Sequence, residues 1–124
     1  MKLDLKVITI KIRKLNDVES IDVTNYGSTG TKIQWLISKE QGAPRFAMRL
    51  FTLEPRAIIG IHDHPEEHEI YVMQGKMDLI AENGSRTRVE ATDAIYMPPD
   101  EKHGYENIGS EVVKFLCVIP LLDK

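Results

Sequence analysis

The sequence predicts an all-β fold, an antiparallel jelly-roll barrel, and three observations carry that expectation. Helical periodicity is scarce along the 124 residues. Strand-length stretches recur roughly every 8–12 residues, separated by Gly, Pro, Asn or Asp, which is the spacing of a sandwich or barrel. Residues 112–119 are apolar at almost every position, as expected of a strand covered on both faces.

Taken in order, residues 3–12 alternate as Leu3, Leu5, Val7 and then, with a change of parity, Ile8, Ile10, Ile12. That change predicts a bulge or bend. Residues 32–38 form a strand around Trp35. Residues 45–53 form a longer one, with Phe46, Met48 and Leu50 on one face and Ala47, Arg49, Phe51 and Leu53 on the other; Pro55 is expected to end it. Short strands follow at 58–62, 68–73 and 76–82. Asn83-Gly84 reads as a two-residue hairpin turn, because both residues tolerate positive φ. Residues 86–91, 94–97, 103–107 and 112–119 complete about ten strands, a count that favours closure into a barrel. The chain is expected to be one domain over 1–124, with strands in 1–38 acting as a packing or dimerisation arm and a barrel over 44–120. The doubly apolar strand 112–119 predicts a covered outer face, most simply by a second copy in a homodimer.

Composition narrows the function. The net charge is −3, and the 16 Lys and Arg form no basic block, so a nucleic-acid partner is not expected. The longest apolar stretch, residues 115–122, contains Pro120 and is far short of the roughly 20 residues that span a bilayer, so no membrane role is expected. One cysteine, Cys117, forbids an internal disulfide and suits a reducing compartment. With no apolar run after Met1, a cytoplasmic location is expected. Gly27-Ser28-Thr29-Gly30 lacks the Lys-Ser/Thr pair of a phosphate cradle and reads as a plain loop.

All 4 histidines fall at His62-x-His64-x3-His68 and His103. His62 and His64 are two apart and share a face of an extended segment. His68 lies across the Pro65-Glu66-Glu67 turn, and His103 opens a later strand. Imidazole suits divalent first-row ions and not calcium or magnesium, which prefer oxygen. Asp63, Glu66, Glu67 and Glu69 read as a solvated turn, with a carboxylate orienting an imidazole as the alternative.

The segment Gly60-Ile61-His62-Asp63-His64-Pro65-Glu66-Glu67-His68-Glu69-Ile70-Tyr71-Val72-Met73-Gln74-Gly75 resembles the first cupin motif. Residues 92–107, with Pro98, His103 and Asn107 in place, resemble the second. The sixteen residues 76–91 separate them. The resemblance implies a double-stranded β-helix, the jelly-roll cupin barrel, with a metal held by His62, His64, His68 and His103. His68 stands where the family usually has Glu, and Glu69 points to the opposite face of its strand. The chain therefore resembles the small four-histidine cupins that bind manganese, a likeness strengthened by residues 46–55 and 115–120. Thr92 and Asp100 replace glycines of the second motif, and Asp tolerates the left-handed region the turn requires. Asn107 is implied to support the fold.

An all-imidazole set keeps the ion's full formal charge, which favours the reduced state and sharpens Lewis acidity. Four ligands on an octahedral ion can leave two adjacent positions open, whereas a closed tetrahedral zinc site of four histidines would be structural; spacing does not separate the two, and the resemblance favours the open one. The expected cofactor is one divalent ion per chain: manganese first, with iron, nickel, copper or zinc as alternatives. The expected partners are a small-molecule substrate and dioxygen or peroxide, in an oxygenase-type oxidation. A non-redox isomerase or epimerase and a non-catalytic binding module are the rivals. No catalytic residue separate from the metal ligands is expected. The resemblance places Phe115, Cys117 and Ile119 on the inward face beside the cavity, with Arg49 opposite. Cys117 is read as pocket lining. Arg49 is either a surface charge or an anchor for an anion, and Tyr105 either packs or donates a hydrogen bond to a bound oxygen.

Overall fold

Alternating burial along the strands winds this chain into a single curled antiparallel sheet. The computed structural model describes residues 10–122. Nine strands follow in order: β1 (Ile21–Asp22), β2 (Thr29–Ile37), β3 (Phe46–His62), β4 (His68–Gln74), β5 (Lys76–Ala81), β6 (Arg86–Glu90), β7 (Ala94–Met97), β8 (His103–Glu106) and β9 (Val113–Pro120). The spatial order is β6-β5-β8-β3-β9-β4-β7, with β2 also pairing β3 and β1 pairing β2. Chain neighbours are thus mostly not sheet neighbours, and the structure is a jelly-roll β-barrel. Three short 3-10 turns are the helical elements among the described residues, and no helix there is long and apolar enough to cross a membrane.

Inward residues fill the barrel. In β9, Val113, Phe115, Cys117 and Ile119 are buried and the residues between them half-buried. Leu53, Val72 and Met77 close the core around Phe115, which stacks on Phe51 at 5.0 Å. Each such side chain contributes about 1.5–3 kcal/mol by leaving water. Asn107 is fully buried and gives its amide to Leu53 O at 3.0 Å and Glu111 O at 2.8 Å, the supporting role its motif position implies. On the outside, Leu116 and Val118 pair with Tyr71 and Met48, which are exposed, so this face is apolar on several adjacent strands.

Several local expectations are corrected. The 3–12 strand lies largely outside the described residues, and its last three positions carry no strand. Pro55 does not end β3. The strand runs on through Arg56 (φ 70°), where it exchanges β9 for β8 while β2 still pairs with it at Thr29 opposite Ile58. A single positive φ turns the ribbon without breaking it, because Arg56 N–H finds Asn107 O at 2.9 Å in place of a ladder partner. The β5–β6 connection is not a two-residue turn. Gly84 has φ 85° but Asn83 does not have positive φ, and Gly84 N–H reaches Ala81 O at 2.9 Å. This is a three-residue loop in which one left-handed glycine suffices. Asp100 (φ 62°) and Thr92 (φ 78°) do occupy the left-handed region.

Candidate metal centre

The bend in β3 carries His62 to the mouth of the barrel, where it pairs across the sheet with His103 at the start of β8. His68 starts β4 opposite Met97. The turn between β3 and β4 is tied down by Asp100 N–H, which donates to His64 O at 2.9 Å. Ring nitrogens of His62, His64 and His103 lie within 4.8 Å of one another. His68 Nε2 meets Nε2 of His64, and the His68 ring lies 5.2 Å from that of His103, edge to face. All four imidazoles therefore sit in one cluster, with His68 on its β4 side.

Hydrogen bonds fix which nitrogen each ring offers. His62 Nδ1 lies 2.7 Å from Gly60 O, and His103 Nδ1 lies 2.6 Å from Glu101 O. A carbonyl only accepts, so both Nδ1 atoms carry the proton and both Nε2 atoms present lone pairs. His68 Nδ1 faces the Cys117 sulfur at 2.9 Å, which leaves its Nε2 for the cluster. Glu66 stands 3.6 Å from His64 Nδ1, beyond hydrogen-bond length, while Glu67 accepts from Tyr96 at 2.9 Å. Glu69 is exposed on the outer face.

The electrostatics agree with a cation site. Burial depresses His68 to about 2, helped by neighbouring His64, and holds His103 down to about 4. His62 is lowered by the same cause. These rings are neutral at pH 7, the state in which imidazole binds metal. His103 Nε2 is buried with no hydrogen-bond partner among the described residues, an arrangement that an ion at the cluster would satisfy. The donor set of neutral nitrogens fits a divalent first-row transition ion.

A cavity of about 480 Å³ opens onto His62, His64 and His68. Arg49 and Tyr105 line it, as do Phe51, Trp35 and Ile59. Phe115, Cys117 and Ile119 lie in the core behind this wall. Arg49 is a pocket residue and not a surface charge: its guanidinium sits 5.3 Å from the Trp35 ring and 5.0 Å from that of Phe51. It also donates from Nη2 to Cys117 Sγ at 3.0 Å. Burial pushes the Cys117 thiol up, so the sulfur stays protonated and accepts. Tyr105 is buried, raised by desolvation, and packs edge-on against His103. The remaining wall is formed by residues 22–26, which sequence reasoning had not assigned to the site. There Tyr26 stacks flat on His62, 4.4 Å between centroids and 5° between planes. Phe51 shares a strand face with Arg49 and could have been found from that parity. Nothing in the sequence around Tyr26 signals its position.

The model for the cupin domain matches residues 49–119. The chain is similar to the oxalate-binding protein of Thermotoga maritima, 33% identical over 107 residues, which cover 84% of this chain and 87% of that one. Among solved structures it resembles the polyketide cyclase RemF of Streptomyces resistomycificus, with TM-score 0.83 and 33% identity over 90% of this chain and 79% of that one. It also resembles a predicted oxalate decarboxylase from Thermotoga maritima, with TM-score 0.78 and 26% identity over 90% of this chain and all of that one.

Proposed function

The chain belongs to the cupin domain family, and on that premise we propose that it holds one divalent metal ion on His62, His64, His68 and His103 and oxidises a small organic anion there with dioxygen or peroxide. The observation that carries this reading is the convergence of four imidazoles, with Nε2 of His62 and His103 free and those of His64 and His68 turned to each other, beside a guanidinium that has no carboxylate partner among the described residues. Manganese is the first choice, with iron next, because an all-nitrogen set favours the reduced ion. Bound there, such an ion supplies Lewis acidity and a one-electron redox couple.

The chain's own groups do the rest. Gly60 O and Glu101 O hold His62 and His103 in the tautomer that ligates. Arg49 draws the anionic group of the substrate toward the cluster, and Phe51 and Tyr105 keep water from the inner wall. A second reading, a binding protein without turnover, is favoured by the likeness to the Thermotoga oxalate-binding protein. The test is consumption of oxygen or peroxide by the manganese- or iron-loaded protein with a panel of organic acids. Turnover that disappears in His68→Ala supports oxidation. Tight binding of the same acids without turnover supports the second reading.

A further inference from the structure

Resting on the reading that an anion meets a metal at this cluster, we infer that the substrate is not a two-carbon diacid but an acid with an apolar body, and that Tyr26 selects for that body. Size is the first argument. A cavity of about 480 Å³ has room for on the order of a dozen or more waters at about 30 Å³ each. It falls within the roughly 300–1,000 Å³ of sites that enclose drug-sized ligands. Oxalate has six non-hydrogen atoms and would leave most of that space wet. A ligand that dries the cavity must carry further bulk.

Chemistry places the two ends of such a ligand. The anionic head belongs at the inner end, where Arg49 and His68 share one sulfur atom. Arg49 Nε is buried and has no partner among the described residues, so a donor remains for that head. Trp35 lies against the Arg49 guanidinium, and beyond it Ile33, Val23 and Tyr26 offer apolar surface beside Asp22, Thr24 and Asn25, with no second Lys or Arg among the described lining residues. The body lies there.

Tyr26 is the built part of this wall. Its φ of 57° puts a bulky side chain in the left-handed region, a conformation the surroundings must enforce. Gly60 makes room for it: a Cβ there would lie 1.7 Å from Tyr26 O. Ser28 Oγ accepts from Gly60 N–H at 3.3 Å and ties the same loop to β3. The ring is thus locked onto a metal-ligand strand while remaining 54% exposed toward the mouth. It can touch a ligand's body from the outer wall.

Calorimetric titration of the cobalt(II)-loaded full chain tests this, with oxalate as one probe and a hydroxynaphthoate as the other. The second probe carries a carboxylate and an adjacent phenol on a two-ring body. It should bind at least about tenfold more tightly than oxalate. Tyr26→Ala should weaken it by about fivefold or more, leave oxalate within about twofold, and leave the cobalt absorption spectrum unchanged. Equal or tighter binding of oxalate would overturn the inference, as would an equal loss of both probes in Tyr26→Ala, or no binding of either. A chain that takes up no cobalt defeats the metal reading itself and this inference with it. A chain that loads cobalt yet prefers oxalate defeats only the inference.

Discussion

Cys117 holds two donors at once, Arg49 from β3 and His68 from β4, and lies fully buried between them. Its sulfur fixes the orientation of one ring of the cluster and the reach of the Arg49 guanidinium in the cavity wall. Groups of this kind, bonded to the far nitrogen of a ligating imidazole, typically change metal affinity by 10–100-fold when removed. Cys117→Ala should therefore weaken metal binding by about tenfold or more in a chelator-competition titration. Cys117→Ser, whose hydroxyl can accept from the same donors, should recover part of that loss; equal affinity in all three proteins would contradict the role. The convergence of the four histidine rings was legible from their spacing, because a motif places side chains at fixed offsets on adjoining strands. The sulfur link was not, since β3, β4 and β9 meet only in the folded sheet. Nor was Tyr26, whose stacking on His62 depends on a positive φ in a loop distant along the chain.

Among the elements, β3 decides the architecture. Its first half builds the wall that bears Arg49 and Phe51, and its second half delivers His62. Reading Pro55 as a terminus split this element in two, because proline removes a ladder donor and the sequence does not show that Arg56 continues the strand by bending it. The shorter strands from β4 to β9 were legible from their strand-length apolar or alternating runs and the turn residues that mostly separate them. Gly60, inside β3, is where the 22–26 wall docks. Gly60→Ala inserts a methyl group into Tyr26 O, so either the loop or the strand must move. Overpacking of this sort costs about 1–3 kcal/mol. Thermal denaturation should show a lower Tm for Gly60→Ala. An unchanged Tm would mean that the loop is not anchored there.

For the whole molecule, the cluster makes stability depend on pH and on metal. In the unfolded chain the histidines protonate near 6.5, whereas folding holds His68 near 2 and His103 near 4. Below pH 6.5 the unfolded state therefore binds more protons, and stability falls with pH. The metal-free protein should keep its full stability above that value and lose it progressively between about pH 6.5 and 2, the His103 part being spent by about pH 4. Chemical denaturation at pH 7.5 and 5.5 checks this, and equal midpoints would contradict buried neutral imidazoles. A bound metal should raise the midpoint at pH 7.5, since the gathered imidazoles of the folded state hold it more tightly than the unfolded chain does. The most direct test of the central claim is X-ray absorption on the zinc-loaded protein. At least three imidazole nitrogens at about 2.0–2.1 Å, with the multiple scattering of intact rings, are expected. A shell of oxygens without that imidazole signature would contradict the site.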